Sequence, residues 1–207
     1  MNDMAYLDEL TDRYPSLEPV KESIRESYEI LKECFSSGHK LLVAGNGGSA
    51  ADSEHIVGEL MKGFVKRRQV PEDMVRRMEE IDSQAGKELA AKLQGSLPAI
   101  ALTGHPGLST AFLNDVDGEM AYAKQVLGYG KKGDVFLGIT TSGNAKNIRY
   151  AAVTAKAMGL RVVGLTGRGG GALAALCDAA VIAPEKETYR IQELHLPIYH
   201  ALCLMLE

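Results

Sequence analysis

Residue types that mark several specialised protein classes are scarce in this sequence. Its 207 residues include three cysteines and no tryptophan. The cysteines are odd in number and widely spaced, at Cys34, Cys177 and Cys203, each in apolar surroundings. This pattern argues against a disulfide framework and a zinc knuckle, and it favours buried thiols in a reducing compartment.

Long apolar runs and a strong excess of one charge are also missing. No stretch approaches the roughly 18 apolar residues of a membrane span. The opening residues, 1–4, include an aspartate and are followed by no apolar segment, unlike a signal peptide. The net charge of -4 provides no basic surface for nucleic acid. We therefore expect a cytoplasmic protein that binds neither a membrane nor nucleic acid directly.

Short apolar runs alternate with helix-like segments along most of the chain. Runs rich in Val, Ile, Leu and Ala are typical of strands buried on both faces of a parallel sheet. The runs are Leu41–Ala44, Ala99–Thr103, Val135–Thr140, Val162–Thr166 and Ala179–Ala183. Their alternation with helices predicts an α/β fold, a doubly wound five-stranded parallel sheet flanked by helices. We interpret residues 1–207 as one domain.

Two helical additions accompany this pattern. Residues 1–38 precede the first strand and contain a short helix and a longer one from Ser16 to Ser37, which we interpret as a subunit contact. Residues 66–95 are an insertion before the second strand. Within it, 71–93 is charged and helix-prone, with an interruption expected at Gly86. The insertion is predicted to be a surface or subunit-contact helix or helical hairpin, with a substrate lid as the alternative.

Two loops rich in glycine and hydroxyl groups follow predicted strands. The first is Gly45-Asn46-Gly47-Gly48-Ser49, and the second is Thr140-Thr141-Ser142-Gly143-Asn144. Neither has the spacing of a dinucleotide fingerprint or the lysine of a P-loop, so no nucleotide cofactor is expected. Hydroxyls and backbone N–H groups at a helix start can hold a phosphate, although each loop alone could be a capping turn. Because ligands bind at the carboxyl edge of such sheets, the two loops together predict a phosphate site.

Histidine and carboxylate side chains occur on two of the predicted helices. His55 and Glu59 are four residues apart and therefore share one helical face. They could be an acid–base pair, metal ligands or a surface ion pair. The last helix carries Gln192, His195 and His200 in an apolar sequence, which fits either core groups or site residues. The residues alone leave these roles open.

Four motifs in this order resemble those of the phosphoheptose isomerases of the sugar isomerase (SIS) family. They are Gly45-Asn46-Gly47-Gly48-Ser49, His55-x-x-x-Glu59, Gly138-Ile139-Thr140-Thr141-Ser142-Gly143-Asn144, and Arg190-Ile191-Gln192-Glu193-Leu194-His195. The resemblance runs from about Leu17 to the end of the sequence, apart from the insertion. Single motifs are shared widely among SIS proteins, whereas the ordered set is much more specific.

The resemblance implies an SIS fold, a homotetramer and the conversion of sedoheptulose 7-phosphate to D-glycero-D-manno-heptose 7-phosphate. It implies that Glu59 and His200 are catalytic. It further implies that the phosphorylated sugar is bound by Asn46, Gly47, Ser49, Thr140, Thr141, Ser142, Asn144 and Gln192. In some similar proteins a zinc ion is held by the residues that match His55, Glu59, Gln192 and His200.

These residue types suit aldose–ketose isomerisation, which moves a proton between adjacent carbons through an enediol. We predict Glu59 as the base and His200 as the acid, and a zinc ion would stabilise the enediolate charge. Gln192 and His200 are eight residues apart, roughly 12 Å along an ideal helix. One zinc ion could reach both only through a distortion near Pro197 or with ligands from two subunits.

The sequence departs from the family pattern at several positions. His105 occupies a place where aspartate is frequent, Lys62 to Phe64 lack a frequent arginine, and Ala145 replaces a serine. Three alternatives therefore accompany the isomerase hypothesis: an isomerase for another ketose phosphate, a sugar-phosphate sensor, and a non-catalytic protein similar to a replication-initiation regulator. The regulator branch lacks the residues that match Glu59 and His200, so their presence favours an enzyme.

Overall fold

A five-stranded parallel sheet forms the centre of the computed structural model, which describes residues 3–207. The strands are β1 (Leu41–Ala44), β2 (Ala99–Ala101), β3 (Val135–Thr140), β4 (Arg161–Thr166) and β5 (Ala179–Ile182). Their order is β2-β1-β3-β4-β5, and every neighbouring pair is parallel. The predicted fold class is thereby confirmed, with strand bounds within two residues of those predicted.

Helices cover both faces of the sheet. They are α1 (Ala5–Arg13), α2 (Lys21–Ser36), α3 (Gly48–Met61), α4 (Glu72–Ile81), α5 (Ser83–Lys92), α6 (Pro106–Asp115), α7 (Ala121–Tyr129), α8 (Lys146–Ala157), α9 (Gly171–Ala174) and α10 (Thr188–Leu206). Short 3₁₀ helices span Pro15–Val20, Leu102–Gly104 and Gly118–Met120. Among residues 3–207, none of the helices has the length and apolar character that a membrane span requires.

The two hydrophobic layers follow from the side-chain alternation of the strands. In β1, Leu41 and Val43 point to the layer that contains α1, α2, α3 and α10. Leu42 and Ala44 point to the opposite layer, with α7, α8 and α9. The central strands β1 and β3 are buried along their whole length, which explains why they are continuous runs without polar alternation.

The N-terminal part differs from the prediction in where its long helix begins. The predicted helix runs from Ser16 to Ser37, whereas α2 begins at Lys21 after the 3₁₀ helix Pro15–Val20. Pro15 and Pro19 have no N–H to donate, so an α-helical ladder cannot include them as internal donors. Residues 1 and 2 of the expected helical part lie outside the described residues.

The insertion is a helical hairpin, one of the two forms predicted. Its break lies at Asp82, and the break predicted at Gly86 is wrong. The Asp82 carboxylate accepts hydrogen bonds from the N–H groups of Gln84 and Ala85 and so starts α5. Gly86 lies inside α5, where a Cβ would collide with the backbone of the residues at 78 and 79. The glycine therefore permits close helix packing and does not interrupt a helix.

The strand order determines where a ligand can bind. The chain proceeds from β1 to β2 on one side and then crosses to β3 on the other side of β1. β1 and β3 pair with Ala44 beside Gly138, so the loops that follow them begin side by side. This reversal of direction is the topological switch point, and ligands of such sheets bind outside it.

Candidate active site

The loop after β1 is shaped by glycines at the start of α3. Gly47 has φ +57°, a left-handed conformation that favours glycine, and a Cβ on Gly45 would overlap the backbone of Ser49. No side chain caps the start of α3, where the positive end of the helix dipole favours an anion, and the N–H groups of Ser49 and Ala50 donate to the carbonyls of Asn46 and Gly47. Ser49 lies in the first helical turn and is 3% exposed.

The loop after β3 is held in place by its own polar groups. The Ser142 hydroxyl accepts a hydrogen bond from the N–H of Asn144 at 3.1 Å. The Asn144 amide donates to the Ser142 carbonyl and accepts from the N–H of Ala172, which fastens the loop to α9. Thr140 is buried, and Thr141 is half-buried. The loop therefore presents a fixed arrangement of hydroxyl and N–H groups.

Two side chains that were not predicted as site residues hold the first loop. The amides of Asn46 and Asn147 exchange two hydrogen bonds, of 2.9 and 2.8 Å, and so join the first loop to the start of α8. The Tyr122 hydroxyl donates to the Gly45 carbonyl at 2.7 Å. Asn147 follows the second loop closely and could have been suspected, whereas Tyr122 carries no sequence signal.

Gln192, a predicted substrate-binding residue on α10, also borders the first loop. A Cβ on Gly48 would lie 2.5 Å from Nε2 of Gln192. The side chain of Gln192 therefore lies directly beside the first turn of α3. The structure brings this predicted residue to the predicted phosphate loop.

A second group of polar side chains lies further along α3 and α10. His55 Nε2 is 3.3 Å from Glu59 Oε1, and Lys62 Nζ is 3.1 Å from Glu59 Oε2. The rings of His55 and His200 meet edge to face with centroids 5.0 Å apart. The Glu59 side chain is 13% exposed. Both predicted catalytic residues therefore lie against His55.

The environment of His200 favours a neutral imidazole. Burial lowers the pKa of His200, nearby His55 acts in the same direction, and Glu59 opposes both. Its Nε2 is buried without a hydrogen-bond partner among the described residues. A buried ring nitrogen without a partner is costly for the fold and is therefore a feature expected of a site that meets a ligand.

Tyr199 and Asp52 belong to the same group, and neither was predicted. The Tyr199 hydroxyl lies 3.2 Å from Asp52 Oδ1 and 3.0 Å from His55 Nδ1. Burial raises the pKa values of both Asp52 and Tyr199. Asp52, three residues before His55, shares its helical face, which is a signal that spacing could have provided.

Comparison with known proteins agrees with this arrangement. The SIS domain family model matches residues 5–91 and 77–167. A phosphoheptose isomerase of a Nitratiruptor species is 37% identical over 203 residues, which are 96% of this chain and 95% of that protein. The corresponding protein of Aneurinibacillus thermoaerophilus is 38% identical over 91% of this chain and 87% of its own length. The chain belongs to the phosphoheptose isomerase family of SIS-domain proteins.

A solved structure of the family has the same fold. The phosphoheptose isomerase of Neisseria gonorrhoeae aligns with a TM-score of 0.74 and 30% identity, covering 99% of this chain and 95% of the other. The near-complete coverage means that the family fold includes the N-terminal helices and the last helix. The chain is therefore similar to an isomerase of this family over its full architecture, and not only in its sheet.

The zinc site implied by the family resemblance is not complete within one chain. Gln192 lies beside Gly48, whereas His200 lies beside His55, about two helical turns further along. α10 runs without a break from Thr188 to Leu206, so Pro197 does not bring the two together. No three His, Cys, Asp or Glu side chains within residues 3–207 are grouped to hold a metal. Within one copy, Gln192 therefore lies apart from His55 and His200.

His195, the other histidine of α10, is a core residue in this family member. It is fully buried, and its Nε2 lies 3.0 Å from the Thr166 carbonyl at the end of β4. Burial lowers the pKa of His195 to about 4, and the hydrogen bond to Thr166 opposes this only in part. A neutral His195 with its hydrogen on Nε2 satisfies that carbonyl and links α10 to β4.

His195 makes stability sensitive to mild acid. Its pKa is near 6.5 when unfolded and about 4 when folded, so the unfolded chain binds more protons between these values. The free energy of unfolding should therefore fall as pH decreases from 6.5 toward 4, by up to about 3 kcal/mol from this residue. We expect His195→Gln to reduce the slope of the urea-unfolding free energy against pH in that window. An unchanged slope would show that His195 is not the group responsible.

Proposed function

We propose that this chain is a phosphoheptose isomerase that converts sedoheptulose 7-phosphate to D-glycero-D-manno-heptose 7-phosphate by enediol proton transfer. One observation carries the proposal: α3 begins at a phosphate-type loop that Gln192 borders, and further along it meets α10 where Glu59, His55 and His200 come together. Isomerisation of an open-chain sugar phosphate requires groups that bind the phosphate and acid–base groups at the other end of the sugar. The proposed site has both.

The phosphate end uses groups that suit a dianion. The N–H groups at the start of α3 and the hydroxyls of Ser49, Thr140, Thr141 and Ser142 are neutral donors, as in other phosphate cradles. Gly47 permits close approach of the backbone, while Asn46, Asn144 and Gln192 complete the proposed binding set. The Asn46 amide already bonds to Asn147 of α8, and the Asn144 amide bonds to Ser142 and to Ala172 of α9, so we assign both mainly to holding the cradle in shape.

The acid–base end performs the proton transfer in this proposal. The Glu59 carboxylate removes a proton from carbon 1 of the ketose, leaving an enediolate, and returns a proton to carbon 2. His200, neutral and with an unpartnered Nε2, moves a proton between the oxygens of carbons 1 and 2. The same groups carry the reverse reaction.

The experiment that tests this function compares sedoheptulose 7-phosphate with unphosphorylated sedoheptulose. We expect turnover of the phosphate and a kcat/KM about 10³-fold lower without it, because each hydrogen bond to a charged group contributes about 1.5–3 kcal/mol. Turnover of another ketose phosphate instead would support the alternative isomerase. Binding of the sugar phosphate without any turnover would contradict an enzyme and favour a sensor.

Zinc and quaternary structure are further parts of the proposal. We propose that zinc is held by His55, Glu59, Gln192 and His200, with the four ligands drawn from two subunits of a homotetramer. When bound, zinc would supply stabilisation of the enediolate charge. Light scattering should give a mass of four chains of 22.3 kDa, and metal analysis should give zinc that His55→Ala removes. A monomer would contradict the proposed homotetramer. Wild-type protein that binds no added zinc would contradict the proposed zinc site.

The location is proposed as cytoplasmic. Cys34, Cys177 and Cys203 are free thiols in the structure, and two of them are buried. Free buried thiols suit a reducing compartment, in agreement with the scarcity of cysteine. Fractionation of the source cells would test this assignment.

A further inference from the structure

A line of polar contacts leads from the half-buried Asp52 to the proposed base, with two hydrogen bonds followed by a close contact between His55 and Glu59. Asp52 Oδ1, the Tyr199 hydroxyl and His55 Nδ1 are joined by distances of 3.2 and 3.0 Å. His55 Nε2 then lies 3.3 Å from Glu59 Oε1. Asp52, His55 and Glu59 form one stripe on α3, and Tyr199 reaches this stripe from α10. The line ends at the carboxylate that the proposed function uses.

The chemistry of the groups orders the hydrogens in this line. An ionised Asp52 is only an acceptor, whereas a phenol has one hydrogen and can also accept. With the Tyr199 hydrogen directed to Asp52, the phenol oxygen accepts from Nδ1–H of His55. This order places a hydrogen of His55 on Nδ1, directed at the phenol oxygen, while Nε2 faces Glu59 at 3.3 Å. The Glu59 carboxylate, 3.3 Å from Nε2, therefore lies against a ring whose orientation is set from its other nitrogen.

The ring of Tyr199 is held by packing, so the effect of its hydroxyl can be tested separately. Tyr199 is 2% exposed, and its ring meets those of His55 and His200 edge to face at centroid distances of 5.5 and 5.0 Å. The ring therefore keeps its place by contacts with both histidines. The hydroxyl joins Asp52 to His55 by hydrogen bonds, so its removal breaks the line without emptying the core.

We propose that Tyr199 and Asp52 are positioning residues for the isomerisation, which act through His55 to orient Glu59. The proposal rests on the proposed function, since it assigns Glu59 the role of base. In this proposal the Tyr199 hydroxyl and Asp52 act on the substrate through His55 and Glu59. Their loss should therefore lower kcat and leave the binding of the sugar phosphate almost unchanged.

The test uses Tyr199→Phe and a matched control. Tyr28→Phe is the control, because Tyr28 is also 2% exposed and its hydroxyl donates to Asp3 at 2.7 Å, away from α3. For Tyr199→Phe we expect kcat on sedoheptulose 7-phosphate to fall about 10- to 100-fold, the usual effect of losing the partner behind a functional histidine. KM should stay within about twofold, and Tyr28→Phe should keep the wild-type kcat.

Asp52→Ala and the double variant test whether the residues act as a unit. Asp52→Ala removes the acceptor of the Tyr199 hydroxyl and should lower kcat in the same way. The double variant should resemble the more defective single variant, because the two substitutions break the same line. Losses that multiply in the double variant would contradict a single line.

Failure of the proposed function and failure of the positioning roles give different results. Wild-type protein without turnover contradicts the proposed function itself and removes the basis for the positioning roles. Active wild-type protein with an inactive Glu59→Gln variant, but with Tyr199→Phe equal to Tyr28→Phe in kcat, overturns the positioning roles alone. A Tyr199→Phe variant that raises KM at unchanged kcat would assign Tyr199 to substrate binding and would also overturn them.

Discussion

Glu59→Gln is expected to lower kcat at least about 10³-fold while the sugar phosphate still binds. The amide has nearly the shape of the carboxylate but cannot accept a proton from carbon, so general-base catalysis is lost. Its neighbours His55 and Lys62 lie at 3.3 and 3.1 Å and remain available to hold the amide in place. The phosphate loops are separate from this position and should keep their affinity.

Turnover and ligand affinity should be measured on the same preparations. Isothermal titration with sedoheptulose 7-phosphate should give a Kd within about threefold of the wild type, because uniform binding is not affected. Glu26→Gln, an exposed residue on α2, is the control for the charge change and should behave as wild type. Retained turnover in Glu59→Gln would remove Glu59 from the role of base.

Gly143→Ala is expected to displace the phosphate loop after β3. Gly143 has φ +67°, and a Cβ there would overlap the carbonyl of Gly170 and approach Gly171. Both contacts are with backbone that cannot rotate away, so the loop after β3 must shift. Forced overlaps of this kind cost about 1–3 kcal/mol, in addition to about 1 kcal/mol for the left-handed backbone.

The measured result should be a KM for the sugar phosphate raised at least about tenfold, together with a lower Tm. Gly169→Ala is the matched control, since Gly169 has φ +83° but no atoms within 4 Å of an added Cβ. The control should show the Tm cost of the backbone conformation without the rise in KM. Equal KM values for the two variants would contradict the assignment of the loop to phosphate binding.

The strands and helices could be predicted because each is marked by residues that are close together in the sequence. The central strands β1 and β3 are buried on both faces, so they form unbroken runs that were located to the residue. The predicted helix boundaries were wrong where neighbouring residues favour different structures. Pro19 lies inside the predicted helix but has no N–H to donate. Asp82 breaks the insertion, while the more conspicuous Gly86 permits close packing.

The candidate site was predictable only in part, for a physical reason. The phosphate loops and the His55–Glu59 pair are contiguous or share a helical face, so spacing reveals them. Tyr199 resembles a core aromatic in sequence, and its role depends on how α10 packs beside α3. Tyr122 likewise reaches the first loop through tertiary packing, which a pattern along the chain does not encode.

The most direct test of the central claim is conversion of sedoheptulose 7-phosphate in ²H₂O, followed by NMR of the product. We predict an aldoheptose 7-phosphate that carries deuterium at carbon 2, because the proton passes through a carboxylate that exchanges with solvent. We also predict that Glu59→Gln forms neither product nor exchanged substrate. Product without any deuterium at carbon 2 would contradict proton transfer through an exchanging carboxylate, and absence of product from the wild type would contradict the proposed function.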